Sequence, residues 1–191
     1  MKYMLFAFLM ILPTLALAQA NSSTDAKQAE AFIRSLGDEA ISALDRTKSD
    51  QSARRDEFKR ILNTSFDTAT IARFAMGRYW GTATEAEKTE YKSLFNQMVV
   101  DVYTKRFSEY TNQKFNVTGS KPAGNDVIVN SLITSQGQGQ PIRVDWRVRR
   151  GKVIDVIVEG VSMSVTQRSE FASIIQRNGG KVSALINHLK K

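Results

Sequence analysis

The chain contains no cysteine. Disulfide frameworks, thiolate nucleophiles and cysteine-ligated metals are therefore excluded. Histidine occurs once, as His188, three residues from the C-terminus. Multi-histidine zinc sites and Ser-His-Asp relays lack their usual ligand or base, and a solvated or capping role suits a terminal helix better. Phosphate loops are missing too. Gly137-Gln138-Gly139 and Gly179-Gly180 lack the strand-loop-helix context and read as a turn and a helix stop. After residue 20 no apolar run is long enough to stop transfer through a membrane.

What is present starts with a leader. "MKYMLFAFLMILPTLALAQA" has a basic start at Lys2, an apolar run from Tyr3 to Leu12, and small residues in A-x-A spacing. Residues 1–20 are expected to be a secretory signal peptide, cut near Ala18 or Ala20, which implies export to the periplasm. The remaining residues 21–191 suit one domain with a single core. The formal net charge is +8 and falls by one when Lys2 leaves. Nucleic acid is a poor partner for an exported protein. Anionic membrane surfaces and acidic proteins are better targets for its basic surface.

Periodicity divides the chain into helices over 26–110, a sheet over 114–163 and helices over 166–190. After a polar leader "NSSTD", helical spacing runs from Ala26 to Leu44. A second helix carries Phe58, Ile61, Leu62 and Phe66. Thr84 and Glu87 form a capping box. They open the longest helix, with a stripe of Tyr91, Leu94, Phe95, Met98, Val102, Tyr103, Phe107 and Tyr110. From Lys114 the period becomes two. In "IRVDWRVR", Ile142, Val144, Trp146 and Val148 face one way and Arg143, Asp145, Arg147 and Arg149 the other. Arg150-Gly151 is a hairpin turn. "KVIDVIVEGVSMSV" reads as one fourth strand, with Ile154, Val156 and Val158 on one face and Val153, Asp155 and Ile157 on the other. Thr166 or Ser169 is the expected cap of the next helix. The expected fold class is α+β, a four-stranded curved antiparallel sheet packed against several helices.

Asp145 and Asp155 are the best acid-base candidates. Asp145 alternates with arginines, so a charge pair on a solvated face is simpler. Asp155 lies between apolar neighbours, where carboxylates are normally paired or hydrogen-bonded. No enzyme, cofactor or metal is expected, although a small exported enzyme using Asp155 is a competing reading.

"VIDVIVEGVSMSVTQRSEF", continued by "ASIIQRNGGKVSALINHL", resembles the C-terminal signature of the MlaC family, periplasmic phospholipid-binding proteins also known as toluene-tolerance auxiliary proteins. "FAMGRYWGTATEAEKTEYKSLFNQMVVDVYTKRFSEY" and "IRVDWRVR" are similar to the family as well. The likeness covers the chain from about Phe58 onward. Glu159-Gly160-Val161-Ser162-Met163 is its most specific piece. The resemblance implies a lipid shuttle with its acyl chains in an apolar lipid cavity between sheet and helices. It implies a phospholipid ligand and transient membrane contact. The implied partners are an inner-membrane MCE-domain protein of an ABC transporter and an outer-membrane lipoprotein with porin. A carrier of another amphiphile, such as a hopanoid, is the alternative. Strand alternation set against the helical stripe gives the expected wall: Phe74, Tyr91, Phe95, Met98, Val102, Val144, Trp146, Val156, Val158, Val161 and Met163. Two further expectations concern motion and charge. The segment Gly77–Gly81 is a candidate gate, and Arg143, Arg147, Arg149, Arg150 and Lys152 a candidate docking patch.

Overall fold

The computed structural model describes residues 15–108, 113–135 and 139–191. The leader's first 14 residues, Gly137-Gln138, Tyr110 and the Phe107 side chain, which entered the expectations above, lie outside the description. Among the described residues, six helices and five strands follow in the order α1 (Leu15–Arg46), α2 (Gln51–Ser65), α3 (Thr68–Met76), a 3-10 turn (Gly77–Gly81), α4 (Glu85–Ser108), β1 (Gln113–Ala123), β2 (Asp126–Ser135), β3 (Ile142–Arg149), β4 (Lys152–Val158), β5 (Val161–Ser162), α5 (Met163–Arg177) and α6 (Val182–Leu189). Among the described residues no helix is long and apolar enough to cross a membrane.

Helix α1 is longer than the apolar period suggests. The polar "NSSTD" lies inside it, because no proline or glycine interrupts residues 15–36. Asp50 caps α2, accepting from Ala53 N at 2.9 Å, so the charged break is shorter than its composition implies. Asp67 caps α3 in the same way through Thr70. The capping box forms as expected: Thr84 N donates to Glu87 Oε2 at 2.9 Å, and Glu87 N to Thr84 Oγ1 at 3.2 Å.

The sheet is an antiparallel meander, β1-β2-β3-β4-β5. The expected fourth strand is two strands. Glu159 (φ 50) and Gly160 (φ 82) make a tight turn, and β5 folds back so that Val161 pairs with Val158. Two successive positive φ values match the twist of a hairpin, and the glycine carries one without strain. Arg150 (φ 49) and Gly151 (φ 71) repeat the device between β3 and β4.

One side-chain assignment is corrected by a bulge. Arg147 pairs with Asp155 and Val148 with Val153, leaving Ile154 as the extra residue. The slip puts Val153 on the same face as Val156 and Trp146, not opposite them. Strict alternation could not foresee it. Val153 is fully buried there with Val117, Val129 and Val148.

Helix α1 covers that face over β1 and β2. Ala29, Ile33, Leu36 and Ala43 seal it, with Phe115, Trp146 and Val156 packed alongside. The α2–α3 junction is tied to the outer edge of β4: Phe66 bridges Val153, and Asp67 N donates to Val153 O at 3.0 Å. Helices α3 and α5 rest against β4, while α4 packs on α2, α3 and α6. A second core forms there from Ala75, Met76, Tyr79, Tyr91, Phe95, Phe171, Ile175, Leu185 and their neighbours.

Candidate functional site

The stretch that links sheet to helix is organised by Asp155. Its carboxylate accepts the Ser162 hydroxyl at 2.6 Å and the Ser164 N–H at 3.1 Å. Ser162 Oγ in turn accepts from Val165 N at 3.1 Å and is the cap of α5. The helix thus starts at Met163, three residues before the expected Thr166 cap. Met163 is its first residue, not a strand residue. Both oxygens of Asp155 are engaged in holding a helix end, where a carboxylate also complements the dipole. That is the structural hydrogen-bond role rather than the geometry of a free base.

Eight of the eleven expected wall residues fall into three groups. Tyr91 and Phe95 are in the helical core. They form an aromatic trio with Phe171, with ring centroids 5.8, 6.0 and 6.2 Å apart. The Tyr91 hydroxyl donates to Ala72 O at 2.9 Å, and burial pushes its pKa well above the usual range. Met98 packs against this core. Trp146 and Val156 join the other core, under α1. Phe115 meets Trp146 edge to face at 6.0 Å. Trp146 Nε1 donates to Ser131 Oγ at 2.9 Å, and the Ser131 hydroxyl in turn donates to Val144 O at 2.7 Å. The third group points outward. Phe74 is 40% exposed, Val102 44% and Val161 54%. The sheet and α4 members therefore do not meet as one continuous surface.

Some buried apolar side chains belong to neither core: Leu62 on α2, Val100 on α4, Val144 on β3 and Ile154 on β4. Val158 and Val161 continue the Val144 row across β4 and β5 through direct cross-strand pairing. A domain of this size usually has one contiguous core. Here, among the described residues, it has two. Ser131 is the residue that sequence reasoning missed. It breaks the apolar alternation of β2 at a position facing α1, and that break is its only signal. An open groove of about 470 Å3 runs along α1 at Asp38, Ile41, Ser42, Asp45 and Arg46.

The charged hairpin is largely satisfied internally. Arg147 Nε lies 2.6 Å from Asp126 Oδ2, and Arg149 reaches both Asp126 oxygens at 2.5 and 3.0 Å. The Arg149 hydrogen bond is foremost in holding the Asp126 carboxyl below its usual range. Lys152 donates to Thr64 O. Asp145 accepts from Asn130 at 2.8 Å and lies 3.7 Å from Arg143.

Comparison with known proteins places these features in a family. The family model described as "MlaC protein" matches residues 15–191. The toluene tolerance protein ttg2D of Pseudomonas putida is 27% identical over 150 residues, 73% of this chain and 67% of that protein. The intermembrane phospholipid transport system binding protein MlaC of Haemophilus influenzae is 22% identical over 125 residues. That alignment covers 61% of this chain and spans 57% of the relative's length. Among solved structures, a phospholipid-binding protein from Ralstonia solanacearum, in complex with a phospholipid, superimposes with a TM-score of 0.75. It is 23% identical, and the match covers 85% of this chain and 94% of that one. With the family model spanning all but the first 14 residues, this chain belongs to the MlaC protein family.

Proposed function

We propose that this protein is a periplasmic phospholipid carrier. The observation that carries the reading is the divided core: a sheet layer under α1 and a helical layer around Tyr91 and Phe171, with the cross-strand row Val144, Val158 and Val161 extending the sheet face that carries Trp146 and Val156. Layers that form separate buried clusters can part to admit acyl chains. Burial of an acyl chain contributes about 0.8 kcal/mol per methylene, so an apolar lining suffices without a catalytic group. The match to a protein solved with a phospholipid supports the same reading.

In this reading the tails lie against Val144, Trp146, Val156, Val158, Val161 and Met163. The aromatic trio gives the helical layer a firm floor. Residues 1–20 direct export and are removed near Ala18 or Ala20. The carrier exchanges lipid with an inner-membrane MCE-domain protein of an ABC transporter and with an outer-membrane lipoprotein bound to porin, and so maintains outer-membrane lipid asymmetry.

Organic extraction of protein purified without detergent, followed by mass spectrometry, tests the reading. A diacyl phospholipid near one per chain is expected. A polycyclic lipid in its place would redirect the assignment to hopanoid transport, and the absence of any lipid would overturn it.

A further inference from the structure

Several arginines hold no carboxylate among the described residues, and two of them share a pocket. Arg46, Arg55, Arg60, Arg147 and Arg149 each hold a carboxylate. Arg78 and Arg168 have no ion-pair partner among the described residues. Both line one pocket of about 180 Å3 at the junction of α3, the 3-10 turn and α5. Gln176 lies on its wall as well.

Each guanidinium is fixed from behind. Arg78 Nη2 donates to the Tyr79 hydroxyl at 2.9 Å, and its Cζ lies 5.0 Å from that ring centre. Arg168 Cζ lies 5.2 Å from the Phe74 ring centre. The Arg168 side chain also runs against Gly77, where a Cβ would sit 2.9 Å from Nε. A glycine with φ 60 leaves that space open. Rings and backbone thus orient the two charges without neutralising them.

The pocket is smaller than the roughly 300 Å3 at which drug-sized ligand sites begin. A single oxyanion head is the right scale. Two guanidiniums and an amide offer more donors than a carboxylate can accept, and a phosphate with several free oxygens matches them better. The rim is apolar. Phe74 is solvent-exposed, and Val165 is 51% exposed on the same stripe of α5 as Arg168, Ala172 and Gln176. Cationic pocket and apolar rim together fit a bilayer surface, where phosphate and hydrocarbon lie within a few ångströms of each other.

We propose that the Arg78–Arg168 pocket binds the headgroup phosphate of anionic phospholipids at a membrane surface, with Phe74 and Val165 entering the interface. This gives the protein a membrane-docking site separate from the acyl-chain row. It rests on the charge and shape of the pocket and not on the carrier reading.

The test compares full-length mature protein on vesicles of phosphatidylglycerol with vesicles of phosphatidylcholine, by flotation at low salt. Arg78→Gln/Arg168→Gln should weaken binding to phosphatidylglycerol by at least about tenfold, given the roughly 1 kcal/mol that each surface arginine contributes near an anionic leaflet. Lys59→Gln/Lys92→Gln, which removes the same charge elsewhere, should stay within about twofold of wild type. Val165→Ser, at an exposed position that leaves the core intact, should weaken binding as well. Equal loss in the two double variants would overturn the proposal, as would full binding by Arg78→Gln/Arg168→Gln. Inorganic phosphate that shifts the Arg78 and Arg168 Nε resonances, with vesicle binding unaffected by their loss, would make this a free-anion site and overturn membrane docking. Lipid extracted from the double variant should equal that from wild type. Lipid-free wild type would instead count against the carrier reading alone.

Discussion

Asp155 and Ser162 are joined by a 2.6 Å hydrogen bond that fastens the end of the sheet to the start of α5. The serine is at once the donor to Asp155 and the cap of the helix. Ser162→Ala should therefore lower stability by about 1 kcal/mol, the usual value of a helix cap. Asp155→Ala should cost more, because it also strands the Ser164 N–H. Urea titrations should show lower midpoints with unchanged slopes. An Asp155→Ala protein as stable as wild type would remove this role and reopen the catalytic reading.

A pH effect follows from Asp126. Its folded pKa is depressed, first by the Arg149 hydrogen bond and, against the opposing effect of burial, by Arg147 as well. The stabilisation is fully present above the unfolded carboxyl value of about 3.9, and it fades as pH falls through the lower folded value. Wild-type stability should drop more steeply below pH 4 than that of Asp126→Asn, measured by denaturant unfolding across that range. Parallel curves would show that the carboxylate gains nothing from its arginines.

The lipid row gives a paired prediction. Val158→Glu should fold yet lose most co-purifying phospholipid, since a charge facing hydrocarbon is strongly disfavoured. Phe74→Glu should retain it, because Phe74 points outward. Mass spectrometry of extracts from the folded variants decides. Retention by Val158→Glu would place the tails elsewhere.

How much of this was legible follows from what each signal depends on. The capping box, β3 and the Arg150-Gly151 turn depend only on neighbours in sequence, and they were read correctly. The Ile154 bulge depends on what β3 presents across the ladder, so it was invisible in β4 itself. The Glu159-Gly160 stretch reads as part of one strand. The turn that Gly160 makes also needs Glu159 at positive φ, where a non-glycine residue gives little warning. Ser162 was hidden because its capping depends on Asp155, seven residues earlier on another strand. Of the expected α4 stripe, Tyr91, Leu94, Phe95 and Met98 meet the helical core while Val102 is exposed, and periodicity cannot say which layer covers the buried part. Phe171 of α5, rather than the sheet, packs against Tyr91 and Phe95. Pairing Arg78 with Arg168 required the fold, since they lie on different elements and neither carries a sequence motif.

The last prediction reverses a general rule. Gly→Ala inside a helix normally stabilises by roughly 1 kcal/mol. Gly37 lies within α1, but a Cβ there would fall 2.2 Å from Phe115 Cδ1 and 2.5 Å from Cε1. The ring cannot step aside freely, because Trp146 holds its other side in an edge-to-face contact and is itself tethered to Ser131. Gly37→Ala should therefore destabilise the protein by lifting α1 off β1. Phe115→Leu should also destabilise on its own, through lost packing. The double variant should recover part of the Gly37→Ala loss, because the smaller side chain makes room for the new methyl. A double-mutant cycle in urea measures that coupling. Strict additivity, or a stabilised Gly37→Ala protein, would mean that α1 and β1 are not locked by this contact and that the helix is free to move over the sheet.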